Sequence, residues 1–284
     1  MAASSILTNT GAMVALQTLN RTSKDLQTVQ DRISTGMKVA TAKDNSSYWS
    51  IATTMKSDVS ALKALNENLA INSATVQTAR VGAENIQKLL GEVKAQLSLA
   101  TSSSVDHAKI GKELDSLAAN IQNTISAASY NGENLLNNTT ARVLTVSINR
   151  SGSSISAVTD TVSGVDMTAV QTFVAGLSAA ITGGADGVAN AAAAQTQLLA
   201  LEAQMTTSIN AAAEFGNVGK RLELQVDFTS KLIDSLNEGV GTLVDANLNE
   251  ESARLQALQV QQQLGIQALS IANGAPQNIL SLFR

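Results

Sequence analysis

Between Leu62 and Ala100 apolar side chains return every seven residues. One series reads Leu62, Leu69, Val76, Ala83, Leu90 and Leu97; the other, three residues on, reads Leu65, Asn72, Ala79, Ile86, Val93 and Ala100. Only Asn72 breaks the pattern. Such a repeat, sustained beyond three heptads, specifies a coiled-coil seam rather than the broader stripe of an ordinary surface helix. At 1.5 Å per residue the run is roughly 58 Å long, which makes a rod rather than a globule and demands other long helices alongside. Composition agrees. Aromatic residues make up 2% of the chain and there is one Pro and no Cys, so the core has to be built from aliphatic and small side chains between helices.

Partner segments are visible. After the polar turn TSSSVDHAK, Ile110, Leu114, Leu117, Ile121 and Ala128 repeat the helical spacing and form the natural antiparallel partner. A longer series runs through Leu198, Leu201, Met205, Ala212, Phe215, Leu222, Val226, Ile233, Leu236, Val240 and Leu243, interrupted by Ser208, Gly219 and Thr229. Between the helices, Asn131-Gly132 is a strong turn signal, and in VLTVSI (143–148) Leu144, Val146 and Ile148 alternate with Val143, Thr145 and Ser147 as in a half-buried strand. Residues 149–190, rich in Ser, Gly, Ala and Thr, read as loop with room for one more strand and a short helix. The fold class is therefore mainly α: a rod-like antiparallel coiled-coil bundle with a small β-hairpin region.

The two ends carry a different message. Ala12, Leu19, Leu26, Ile33 and Ala40 fall seven apart, yet Thr8, Thr10, Gly11, Thr18, Asn20, Thr22, Ser23 and Thr28 are poor helix formers, so a helix here is marginal alone. Toward the other end, at 100° per residue, Leu255, Leu258, Ile266 and Leu269 share one face, while Ala257, Val260, Leu264, Ala268 and Ile271 share nearly the opposite one. A helix apolar on two sides needs neighbours on both, and one partner segment covers only one. The other side is covered by a second molecule or stays exposed and sticky. Asn249, followed by Glu250 and Glu251, reads as the cap of this helix, which places a joint near Asn247.

Chemistry is hard to find. His107 is the one histidine and lies in a polar turn, which favours an exposed surface residue over a general base or metal ligand. GNVGKR (216–221) lacks the glycine and hydroxyl residue of a phosphate loop, having Glu214 and Arg221 at those positions. ITGGADG (181–187) lacks the strand of a dinucleotide site. Acidic residues four before a base, Glu84 with Lys88 and Glu250 with Arg254, fit surface pairs. Tyr48 and Trp49 read as interface or core anchors rather than ligand contacts. No catalytic, cofactor or metal site is expected. A net charge of −4 without a basic run offers nothing to nucleic acid or to an anionic membrane. No apolar run approaches a membrane span and the start is not a secretory signal. On these features alone the chain would be placed in the cytoplasm.

Two stretches point elsewhere. RISTGMKVATAKDNSSYWSIATTMKSD (32–58) resembles the amino-terminal signature of bacterial flagellins, and ESARLQALQVQQQLGIQALSIANGAPQNILSLFR (251–284) resembles their carboxyl-terminal one; SYNGENLLN (129–137) is similar to the turn after the family's second helix. The resemblance implies a self-assembling filament subunit, exported through the flagellar type III channel without a cleaved signal, added beneath a cap, and extracellular. It implies an inner domain of paired N- and C-terminal helices (1–44 with 246–284), a long-helix bundle (45–138 with 191–245) and a short variable surface region (139–190). Implied partners are other copies of the chain, sister flagellins, the filament cap, hook-junction proteins and the export machinery. The self-assembly interface then comprises Ile6, Leu7, Met13, Leu16, Leu19, Leu26, Val29 and Ile33 at one end, and Leu255, Leu258, Val260, Leu264, Ile266, Leu269, Ile271, Ile279, Leu280, Leu282 and Phe283 at the other. Where many members carry an Arg read by an animal Toll-like receptor, this chain has Gly91 beside Glu92, a departure from that recognition pattern. The alternative within the superfamily is a hook-filament junction protein; a signalling coiled coil would need a membrane span or a symmetric hairpin.

Overall fold

The computed structural model describes the backbone of residues 9–152 and 154–281, and side chains through residue 274. In chain order the elements are helices α1 (Thr10–Thr35), α2 (Ser46–Ala100) and α3 (His107–Ala127), strands β1 (Ser129–Tyr130), β2 (Glu133–Asn134), β3 (Ala141–Ser151) and β4 (Ser154–Ser163), and helices α4 (Thr168–Thr182), α5 (Gly187–Val244) and α6 (Leu248–Ser281). They divide into two compact units. One contains the residues up to Val59 with those from Asp234 onward; the other is Ser60–Ile233.

In the second unit the heptad reading of α2 is realised residue by residue. Every apolar member of both series is buried, and Asn72 alone is half-buried. Its partner α5 runs antiparallel: Asn66 Nδ2 donates to Ser230 Oγ at 3.2 Å, Ser208 Oγ donates to the Ala83 carbonyl at 3.0 Å, and Lys94 pairs with Glu202, so positions on α5 fall as those on α2 rise. The buried row of α5 is Ala194, Leu201, Ser208, Phe215, Leu222 and Thr229, again seven apart. Ser208 and Thr229, which look like breaks in the sequence, belong to the seam. The Ser208 hydroxyl is tolerated there because its proton reaches a backbone carbonyl instead of being stranded.

Helix α3 returns along α2, with Asn85 Nδ2 donating to Thr124 Oγ1 at 3.3 Å. The Asp106 side chain caps it, accepting from the Lys109 amide at 3.2 Å. His107 is not the exposed residue expected from its polar turn. It is buried, and a 2.9 Å hydrogen bond joins its Nε2 to the carbonyl of Ala100, one of the acceptors that the end of α2 leaves without a helical partner. The Lys109 backbone amide, and then the Lys109 side chain, hold the Asp106 carboxyl below its ordinary range. A lowered folded value means that the stability it adds is present above the unfolded aspartate value of about 3.9 and is lost as pH falls through the lower folded value. Thermal melts of the parent and of Asp106→Ala are therefore expected to differ at neutral pH and to converge on acidification below about pH 4; a gap independent of pH would show that the carboxylate charge is irrelevant.

The connection after α3 follows its turn chemistry. Asn131 and Gly132 both have positive φ, 51° and 81°, which suits the tight turn between β1 and β2. Buried Asn134 donates to the Ile125 carbonyl at 2.6 Å and accepts from the Leu136 amide at 2.8 Å, pinning this turn to the end of α3.

The region between β3 and α5 departs from expectation in two ways. First, β3 and β4 form an antiparallel pair whose register shifts between Thr145 and Ser147. The extra residue, Val146, is a bulge, so Ile148 lies on the face opposite Leu144 and the simple alternation of VLTVSI does not hold. Second, the further strand and the short helix for which the sequence left room are present as β4 and α4, but the helix is packed rather than loose. Helix α4 buries Val170, Val174, Leu177 and Ile181 and packs on α3. The approach is close because a side chain at Gly111 would bring its Cβ to 2.8 Å from Ser178 Oγ. Among the described residues no helix is long and apolar enough to cross a membrane, and no group of three acidic or histidine side chains could hold a metal ion.

Candidate self-assembly surface

In the first unit, α1 and α6 lie antiparallel. The Asn9 side chain caps α1 by accepting from the Ala12 amide at 3.0 Å, and the same side chain donates to the Ala272 carbonyl at 2.7 Å. Leu19 lies against Gly265, where an added Cβ would meet its Cδ1 at 3.4 Å, and Arg32 Nη1 bonds Glu251 Oε1 at 3.1 Å. Leu19, Leu26 and Ile33 are half-buried on this seam and Val29 is buried; Leu255, Leu258 and Leu269 are half-buried on the facing side. The poor helix formers of α1 thus gain the partner that a marginal helix requires.

The foot of this pair is stitched to the ends of α2 and α5. Gly36 ends α1 in the left-handed region, φ 71°. The Lys38 amide then donates to the Val244 carbonyl at 2.7 Å and the Ala246 amide to the Gly36 carbonyl at 2.9 Å. Beneath these bonds Val39, Ala52, Val240 and Val244 form a small buried cluster with Met55 and Leu243 against it. Asp44 closes the loop, accepting from the Thr41 amide at 2.8 Å and the Ala40 amide at 3.1 Å; the Thr41 backbone bond, first of all, lowers its pKa. Helix α6 begins at Leu248, and the Asn247 side chain accepts from the Asn249 amide at 3.2 Å. The capping residue is Asn247, not Asn249 as the sequence suggested.

The outward faces are uncovered. Met13, Val14 and Leu16 of α1 are exposed, as are Val260, Leu264 and Ile271 of α6, the last at 75%. Ile266 also differs from expectation. The 100° wheel puts it with Leu255 and Leu258, but it is exposed, and Gly265 occupies the seam instead. A pair of helices following a seven-residue repeat keeps Glu251, Leu258, Gly265 and Ala272 in line, and the wheel's drift over two turns is absent. Ile6, Leu7, Leu282 and Phe283 lie outside the described residues, and Ile279 and Leu280 fall in α6 beyond its described side chains. Tyr48 and Trp49 are exposed at the start of α2, beside Ile51; of the two anchor roles expected, the core one does not hold among the described residues, and the interface one stays open.

Comparison with known proteins decides what such a surface belongs to. A family model described as the bacterial flagellin N-terminal helical region matches residues 6–141, and one described as the bacterial flagellin C-terminal helical region matches residues 198–283. The chain belongs to the bacterial flagellin family. It is similar to a flagellin of Brucella melitensis biotype 1, 44% identical over 284 residues with 99% of both chains covered. It is also similar to flagellin FljK of Caulobacter vibrioides, 38% identical with all of both chains covered, and to flagellin C of Rhizobium meliloti, 37% identical with 99% of both covered. The family match establishes this flagellin as a structural subunit of the extracellular flagellar filament, and nothing in these matches favours the junction-protein alternative. The two matched regions include α1 and α6, the helices with the uncovered faces.

Proposed function

We propose that this flagellin polymerises through the outward faces of α1 and α6, each subunit covering the apolar residues that its neighbours leave open. The carrying observation is the two-sided helix α6: one face lies on α1 within the chain, while Val260, Leu264 and Ile271 are exposed, with no cover among the described residues. Exposed apolar rows of this length on an otherwise soluble chain mark interaction sites. On this reading the terminal helices form the filament's inner layer, the long-helix bundle surrounds it, and the β3–β4 hairpin points outward. Sister flagellins are natural co-polymers, a reading supported by the several similar flagellins of Caulobacter vibrioides, FljK, FljM and FljO. The cap, the hook-junction proteins and the flagellar export machinery complete the proposal.

The experiment is trypsin digestion of monomer and of seeded polymer. Arg21 and Lys24 of α1 and Arg254 of α6 are exposed cleavage points. Cleavage at these residues is expected in the monomer and suppressed in the polymer, while exposed Lys109 and Lys112 of α3 serve as the comparison. Equal cleavage of α1 and α6 in both states would remove the basis for the reading.

A further inference from the structure

The foot of α6 holds a carboxylate that this chain satisfies on one side only. Glu251 is 7% exposed; its Oε1 accepts from Arg32, and its Oε2 is buried with no hydrogen-bond partner. A half-bonded buried charge is costly, and its retention is best accounted for where something outside the chain completes it. A cavity of about 450 Å³ borders this residue, and Glu250, Asp245 and Tyr48 line it as well. Its cations are differently placed. Arg32 is engaged by Glu251, Lys38 Nζ donates to the Thr242 carbonyl at 3.1 Å, and Arg254 stands one turn along α6, where it also lines a second groove. An aromatic side chain among carboxylates is the setting in which proteins hold a guanidinium or ammonium group.

The complementary charge stands on the outward side of α1. A shallow groove there begins with Met13 and Leu16 and ends with Arg21 and Lys24. Both basic residues are exposed, and neither makes an ion pair among the described residues. We propose that the cavity at the foot of α6 receives a basic side chain from a second copy of this chain, Arg21 or Lys24 of its α1. Apolar faces attract without direction; a charged contact at one end of the groove fixes the register in which α1 of one copy meets the foot of α6 in the next.

This inference rests on the filament reading, and its test separates the two. Critical concentrations for seeded polymerisation are measured by sedimentation for the parent, Glu250→Lys, Arg21→Glu, Lys24→Glu, and the two chains combining Glu250→Lys with either α1 substitution. All changes are at exposed positions, and circular dichroism melts verify that the monomers remain folded. Glu250→Lys and one α1 substitution are each expected to raise the critical concentration roughly tenfold. The matching combination is expected to return it to within about twofold of the parent, since each subunit then carries both halves of the reversed pair. Additive losses in both combinations, or single substitutions without effect, overturn the proposed contact while the filament reading stands. A parent chain that does not polymerise on seeds overturns that reading itself.

Discussion

A chain carrying Leu264→Glu is expected to yield folded, soluble monomer and no filaments. Leu264 is 58% exposed on α6, on the side away from α1, so a carboxylate there is solvated in the monomer and costs it little. In the polymer the same carboxylate would be taken out of water without a partner, at several kcal/mol for every subunit added. The penalty recurs at each step of growth, and seeds should therefore fail to elongate even well above the parent's critical concentration. Leu258→Glu is the instructive contrast: Leu258 is half-buried on the side toward α1, and that substitution should destabilise the α1–α6 pair in the monomer as well. Sedimentation after seeding, alongside far-ultraviolet circular dichroism of the unseeded protein, reads both effects. Filaments of Leu264→Glu forming at the parent's concentration would show that this face of α6 stays wet in the assembly.

The second large effect concerns α4 and the hairpin beside it. Val174 is fully buried between α4 and its neighbours, and Val174→Asp places a carboxylate in an apolar contact at a cost of several kcal/mol. Against a usual total of about 5–15 kcal/mol, the melting temperature should fall steeply. A short polar insertion at Gly152 is the opposite case. Gly152 sits between β3 and β4 with φ 62° and has no heavy atom within 4 Å of where a Cβ would stand, so added length costs only a few tenths of a kcal/mol in loop entropy. Both melting and polymerisation should survive it. These two positions are 22 residues apart in a stretch that looks compositionally uniform, and equal tolerance at both would mean that α4 is not part of the bundle.

That contrast marks how far the sequence could be read. The seam of α2 was legible to the residue because the long aliphatic heptad admits one period, and Asn72 was its one visible exception. The short helix expected in this stretch could not be placed, because Gly, Ser, Ala and Thr surround it, although Val170, Val174, Leu177 and Ile181 of α4 do carry helical spacing. Ser208 and Thr229 looked like breaks because polarity was weighed without the acceptors that tertiary structure brings, such as the Ala83 carbonyl. His107 was misread for the same reason. The bulge at Val146 leaves no mark in an alternating strand, and it alone moves Ile148 to the other face. In the terminal helices, periodicity revealed that α6 has two apolar sides, but only the pairing with α1 showed which of them the chain covers. The cation cavity was invisible in the sequence, since it depends on Glu251 and Arg32 meeting across 219 positions.

That separation, and the 263 positions between Asn9 and Ala272, also sets an order of events. Loop closure over such a span is slow and entropically costly, about 5 kcal/mol from length alone. Local pairings such as α2 with α3 face no such delay. Helix α1, weak by itself, is therefore expected to pair with α6 last, after α2 and α5 have brought their ends together. By the same logic the pair frays first. In hydrogen exchange on the monomer, amides of α1 should open far below the free energy that protects those of α2 around Leu90, so that a chain with a durable middle keeps its two ends available for threading, searching and handing over to a neighbour.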